Sequence, residues 1–179
     1  MALRDLTRQE RERLAEDYVI DRIRSLPGWT ALNSNDTRVN QPRYDVIATD
    51  NSGRGLRVSV KSAATGGAKQ AYAVDIPDKR HPVAIYAFVD MRGETPGPVY
   101  LAGSKTVVSL AVARHTEYQT IHGKDPLAKD SWKMKIGRVL LEKMGTLEAW
   151  GLLDDPRPTS WPRVTAGRLQ HARDDAPGP

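Results

Sequence analysis

The chain has 179 residues, 27 Lys and Arg against 22 Asp and Glu, and a formal net charge of +5. That length fits one domain whose core buries roughly two-thirds of the unfolded surface. The modest basic excess points to acidic partners, nucleic acid first among them, with a merely soluble basic protein as the competing reading. The chain contains no cysteine, which excludes a disulfide framework, a thiolate zinc site and a thiol nucleophile, and suits a reducing cytoplasm.

The opening stretch through Tyr18 is too charged for the apolar region of a signal peptide. No apolar run approaches the roughly 18 residues of a membrane span, so a cytoplasmic chain without a membrane partner is expected. Residues 7–26 predict a helix: Thr7 and Glu10 form a capping-box pattern, and Leu14, Tyr18, Val19, Ile20, Ile23 and Leu26 recur at helical spacing. Pro27-Gly28 ends it. Glu16 precedes Ile20 and Ile23 by four and seven positions, so it either points inward with them or lies solvated at the edge of the stripe.

Residues 29–32 predict a short strand and 33–42 a polar turn. A β-rich run over 44–49, a strong turn over 50–53 and an alternating run over 56–62 predict a hairpin. Residues 63–81 predict a mobile, cationic loop with a short strand near 72–76. The apolar run 83–89 predicts a buried central strand, 98–102 a further strand, and Ser104 a cap for a helix to about Arg114. Residues 115–131 are polar without a clear pattern and 136–141 are apolar. Thr146 is expected to cap a helix to about Leu153. The expected division is one folded domain over 1–154 and a flexible tail over 155–179, where Pro, Arg, Asp and Gly dominate.

The hairpin carries the chemistry. Asp45 opens its first strand and Lys61 closes its second, so antiparallel pairing brings the two together. Ser59 and Lys61, two apart, share a face, and Val58 and Val60 turn to the core. A carboxylate, an ammonium and the helix that carries Glu16 form the kind of cluster that phosphodiester hydrolysis uses. Mg²⁺ takes hard oxygen ligands, lowers the pKa of bound water, and a nearby cation offsets charge developing on phosphate.

Asp45, the run Ser59-Val60-Lys61 and the upstream Glu16 resemble the PD-(D/E)xK nuclease superfamily of restriction endonucleases, junction resolvases and Mrr-like enzymes, over roughly residues 7–150 by order of elements. The resemblance implies an α/β fold of the restriction endonuclease kind, a mixed central sheet flanked by helices, and endonucleolytic hydrolysis of DNA with Mg²⁺ or Mn²⁺. It makes Asp45 the metal-ligand aspartate, Lys61 the catalytic lysine, Glu16 an additional ligand from the helix, and the Val60 carbonyl a backbone ligand. It also implies, by analogy, a homodimer that cuts two strands. Tyr44 stands where the name-giving proline would be, and Ser59 where the family has an acid or glutamine. A serine hydroxyl is a poor Mg²⁺ ligand. Either Glu16 supplies the missing charge, or metal binding is weak, or catalysis is lost and the domain binds nucleic acid or a protein without cutting.

Lys69, Lys79 and Arg80, in the loop after the catalytic strand, are the expected phosphate contacts. The arginines of the first helix interleave with acids and read as a solvated, ion-paired face. His115 and His122 lack the companions of a zinc site. No Walker or dinucleotide-binding glycine pattern occurs.

Overall fold

A computed structural model describes residues 2–36, 44–64, 70–75, 83–123 and 133–154. Helix α1 runs Arg8–Arg24. Its first turn is closed as the sequence predicts. Thr7 Oγ1 accepts from the Glu10 amide at 3.2 Å, and Glu10 Oε2 accepts from the Thr7 amide at 2.7 Å. Ala15, Val19, Ile20 and Ile23 are buried along one face, and Gly28, at φ 80°, turns the chain into the first strand.

Strands β1 (Trp29–Asn33), β2 (Val46–Asp50), β3 (Gly55–Ala63), β5 (Ile85–Asp90) and β6 (Val99–Gly103) form one sheet in the order β1-β2-β3-β5-β6. Neighbours are antiparallel except β3 and β5, which run parallel. The parallel pair needs a crossover. Strand β4 (Ala71–Asp75) lies within it and pairs antiparallel with β7 (Lys133–Gly137) in a separate two-stranded sheet. Helices α2 (Ser104–His122) and α3 (Arg138–Lys143) complete the elements.

Two apolar layers flank the main sheet. On one face Val46, Val58, Ile85 and Val89 pack with Val19 and Ile23 of α1. On the other, Phe88 and Tyr100 pack with Tyr72 and Ile136 of the small sheet and with Val107 of α2. Strand β5 is buried at all six positions, because successive side chains alternate between two covered faces. The expected α/β architecture, a mixed central sheet flanked by helices, is what the chain forms.

Three expectations need correction. The helix after Gly103 continues past Arg114 to His122, where Gly123 closes it in the left-handed conformation (φ 59°). Its N-cap is Gly103, not Ser104, and no side chain caps it. Thr146 starts no α-helix. It is buried, its hydroxyl donates to the Leu141 carbonyl, and the following residues bridge to the edge of β6 through Leu147 and Tyr100 before a single 3-10 turn at Trp150–Leu152. The Glu148 amide is spent on the Val99 carbonyl, which leaves no i to i−4 ladder there. The expected flexible tail, 155–179, lies outside the described residues.

Candidate functional site

The turn over 50–53 makes the hairpin. Asp50 Oδ1 accepts from the Ser52 and Arg54 amides at 2.9 and 3.0 Å, and Gly53 takes φ 83°. From that turn β2 and β3 run together until Asp45, where the ladder slips. The Asp45 amide donates to the Val58 carbonyl at 2.9 Å, although Val58 is already the partner of Val46. Two residues thus address one, a bulge-like step that re-aims a side chain.

What is re-aimed is the Asp45 carboxylate. Its Oδ2 accepts from the Val60 amide at 2.6 Å and from the Ser59 hydroxyl at 3.2 Å. The ladder of β2 with β3 ends at Val46, and the Asp45 carboxylate takes the place of the next backbone acceptor. Because a strand residue directs its N–H and C=O to the same side, the Val60 carbonyl faces the same gap. Lys61 is close enough for its charge to favour ionised Asp45. Asp45, Ser59 and Lys61 therefore meet on one side of the hairpin, as the alternation predicts, and Val58 and Val60 are buried.

Glu16 points inward. It is half-buried, and its Oε2 accepts from Asn33 Nδ2 at 2.6 Å. Asn33, at the end of β1, is 2% exposed, and its own Oδ1 accepts from the Asn35 amide at 2.9 Å, which fixes the amide end that faces Glu16. Ser34 then ties β1 to the start of β2, its amide donating to the Asp45 carbonyl and its hydroxyl to the Tyr44 carbonyl. Asn33 escaped the sequence reading, which placed it in a polar turn. The alternation of Trp29, Ala31 and Asn33, all buried, was the signal that could have found it.

Burial raises the Glu16 pKa to about 7, and the nearby Asp45 charge pushes it the same way against the Asn33 bond and Arg13. Burial also raises the Asp45 carboxyl, opposed by Lys61, the Val60 amide and the Ser59 hydroxyl. Two carboxylates that each resist ionisation, set close enough to feel one another, are a place where a cation is favoured. Among the described residues the hydrogen bonds to the Asp45 carboxylate use Oδ2, which leaves Oδ1 as the oxygen for a hard ion. That oxygen, a Glu16 carboxylate oxygen and the Val60 carbonyl are the kind of hard donors that Mg²⁺ or Mn²⁺ would take. Ser59 adds no carboxylate. It is 3% exposed and its hydroxyl is used on Asp45. Among the described residues no group of three or more His, Asp or Glu gathers as a metal site, so this is a two-carboxylate arrangement. Lys69, Lys79 and Arg80 lie outside the described residues. No helix among the described residues is long and apolar enough to cross a membrane.

The sequence matches no protein-family model and no curated protein. Solved structures do share the fold. One of them, a bacterial homing endonuclease, I-Ssp6803I, aligns over 86% of this chain and 92% of that chain, with a TM-score of 0.50 and 17% sequence identity. The chain thus has a fold that is also found in a nuclease.

Proposed function

We propose that this chain is a metal-dependent endonuclease that hydrolyses phosphodiester bonds in DNA, with its site at Glu16, Asp45, Ser59, Val60 and Lys61. One observation carries the reading: the bulge-like step aims the Asp45 carboxylate into the gap beside β3, where it accepts from the Val60 amide and the Ser59 hydroxyl, and the charges of Asp45 on Glu16 and of Lys61 on Asp45 support it. The PD-(D/E)xK resemblance of these residues, and a fold shared with a protein described as a homing endonuclease, support it.

Asp45 and Glu16 would hold Mg²⁺ or Mn²⁺ together with the Val60 carbonyl. When bound, such an ion supplies Lewis-acid stabilisation of the phosphate and a more acidic water. The remaining work falls to the chain. The Val60 amide and Ser59 hydroxyl lock the Asp45 carboxylate in one orientation. Asn33 does the same for Glu16. The Lys61 ammonium orients the attacking water and offsets charge on a non-bridging phosphate oxygen. Lys69, Lys79 and Arg80 would contact flanking phosphates, and a homodimer would place one site on each strand.

Cleavage of supercoiled plasmid in Mg²⁺ tests the assignment. Asp45→Ala and Lys61→Ala should each reduce the rate by about a hundredfold or more, with circular dichroism unchanged. If both variants cut as well as the parent, the assignment is wrong. A second reading, a nuclease-fold module that binds without cutting, is favoured by one observation: the buried hydroxyl of Ser59 at the usual acidic position. It predicts salt-dependent DNA binding by a parent protein that cleaves in neither Mg²⁺ nor Mn²⁺.

A further inference from the structure

The catalytic face of β3 continues beyond the site. Arg57 lies two residues before Ser59 and four before Lys61, and so projects from the same face of the strand. At ~3.3 Å per residue, its Cα sits ~13 Å from that of Lys61. Arg57 is exposed, yet its guanidinium is held in place: it lies over the Tyr44 ring, 5.2 Å from the centroid. That ring is partly buried against the second apolar layer and belongs to the residue immediately before Asp45. The same face of β1 and β2 carries Thr30, exposed, Leu32, 40% exposed, and the partly exposed Ile47, paired to Arg57. Here α1 covers only the opposite side of the sheet.

Charge separates Arg57 from several other arginines among the described residues. Arg22 pairs with Glu148, Arg54 with Asp50, Arg92 with Asp90 and Arg138 with Glu142. Among the described residues no carboxylate pairs with Arg57. A planar guanidinium that is pre-oriented on an aromatic ring, exposed and not neutralised is suited to bidentate capture of a phosphate. Its distance from Lys61 corresponds to roughly two to four nucleotides of backbone.

Resting on the nuclease reading, we propose that Arg57, seated on Tyr44, is a phosphate anchor that holds one DNA strand at the exposed start of β3, so that the reacting phosphate falls at Asp45 and Lys61. The anchor is a binding and positioning residue, and touches no reacting atom.

The test is the affinity of the full chain for a short fluorescein-labelled DNA duplex, measured across a salt series in metal-free buffer. Arg57→Gln should weaken binding about tenfold and lower the slope of log affinity against log salt by about one. Its melting temperature should match the parent's. Arg57→Lys should keep the slope and lose only part of the affinity, because the charge stays and the planar stack goes. In Mg²⁺, Arg57→Gln should raise the DNA concentration for half-maximal cleavage more than it lowers the maximal rate. Parent-like affinity and slope in Arg57→Gln overturn the anchor, as does a parent that binds no DNA. An Arg57-dependent slope in a parent that cleaves in neither Mg²⁺ nor Mn²⁺ would instead sink the nuclease reading and leave Arg57 as a DNA contact.

Discussion

Glu16 is stored in a form that works against the fold. An isolated glutamate titrates near 4.5, and burial moves this one to about 7. Between those values the folded chain keeps a proton that the unfolded chain has released. Its contribution is therefore present at low pH and is lost as pH rises through that window. Glu16→Gln removes the titration, so its stability relative to the parent should rise between pH 4.5 and pH 8. The full shift would be worth about 1.36 kcal/mol per unit, and solvent reaching a half-buried group lowers the expected gain to roughly 1–2 kcal/mol. Urea unfolding at the two pH values checks this, and an equal difference at both would contradict it. A gain in stability joined to a loss of metal-dependent cleavage would identify a residue kept for chemistry. Glu16 was legible in sequence only as a choice between inward and solvated. The helical spacing to Ile20 and Ile23 sets its direction, but the deciding partner, Asn33, comes from another strand that no local pattern ties to α1.

Among the elements, the hairpin was readable because its signals are local. Alternation over Leu56, Val58 and Val60 sets the two faces, and the Asp50 turn sets the register. The bulge-like step at Asp45 was not readable. It arises where β2 leaves β3, and that departure depends on how Ser34 ties β1 to Tyr44 and Asp45. The length of α2 was underestimated because His115 to His122 mixes polar and apolar residues without a clean stripe, although Gly123 marks the stop. Thr146 illustrates the opposite error, a cap-like residue whose hydroxyl is turned inward by tertiary contacts. Strand β5 is where packing can be tested. Phe88 is fully buried, its ring 5.2 Å from that of Tyr72 and 6.1 Å from that of Tyr86. Phe88→Ala should cost about 3–5 kcal/mol in urea unfolding. A cost under about 1 kcal/mol would mean that the second apolar layer is not packed as described.

At the scale of the molecule, β3 is the pivot. It pairs antiparallel with β2, parallel with β5, and carries Ser59, Val60 and Lys61 where the ladder with β2 has ended and that with β5 continues. The parallel pairing joins segments separated by a crossover, which sequence alternation cannot reveal, and so the sheet order had to come from the structure. Both faces of β5 are covered, one by α1 and the other by the small sheet and α2. That rigid centre supports a site at the boundary with the more open half of the sheet. The central claim is that this boundary binds a hard divalent cation. A crystal soaked in Mn²⁺ tests it most directly, by the anomalous signal of the ion. The account predicts a peak within coordination distance of Asp45 Oδ1, Glu16 and the Val60 carbonyl, about 2.0–2.3 Å from each oxygen, and none in Asp45→Ala. A saturated crystal with no peak there, or with its only peak elsewhere, would contradict it.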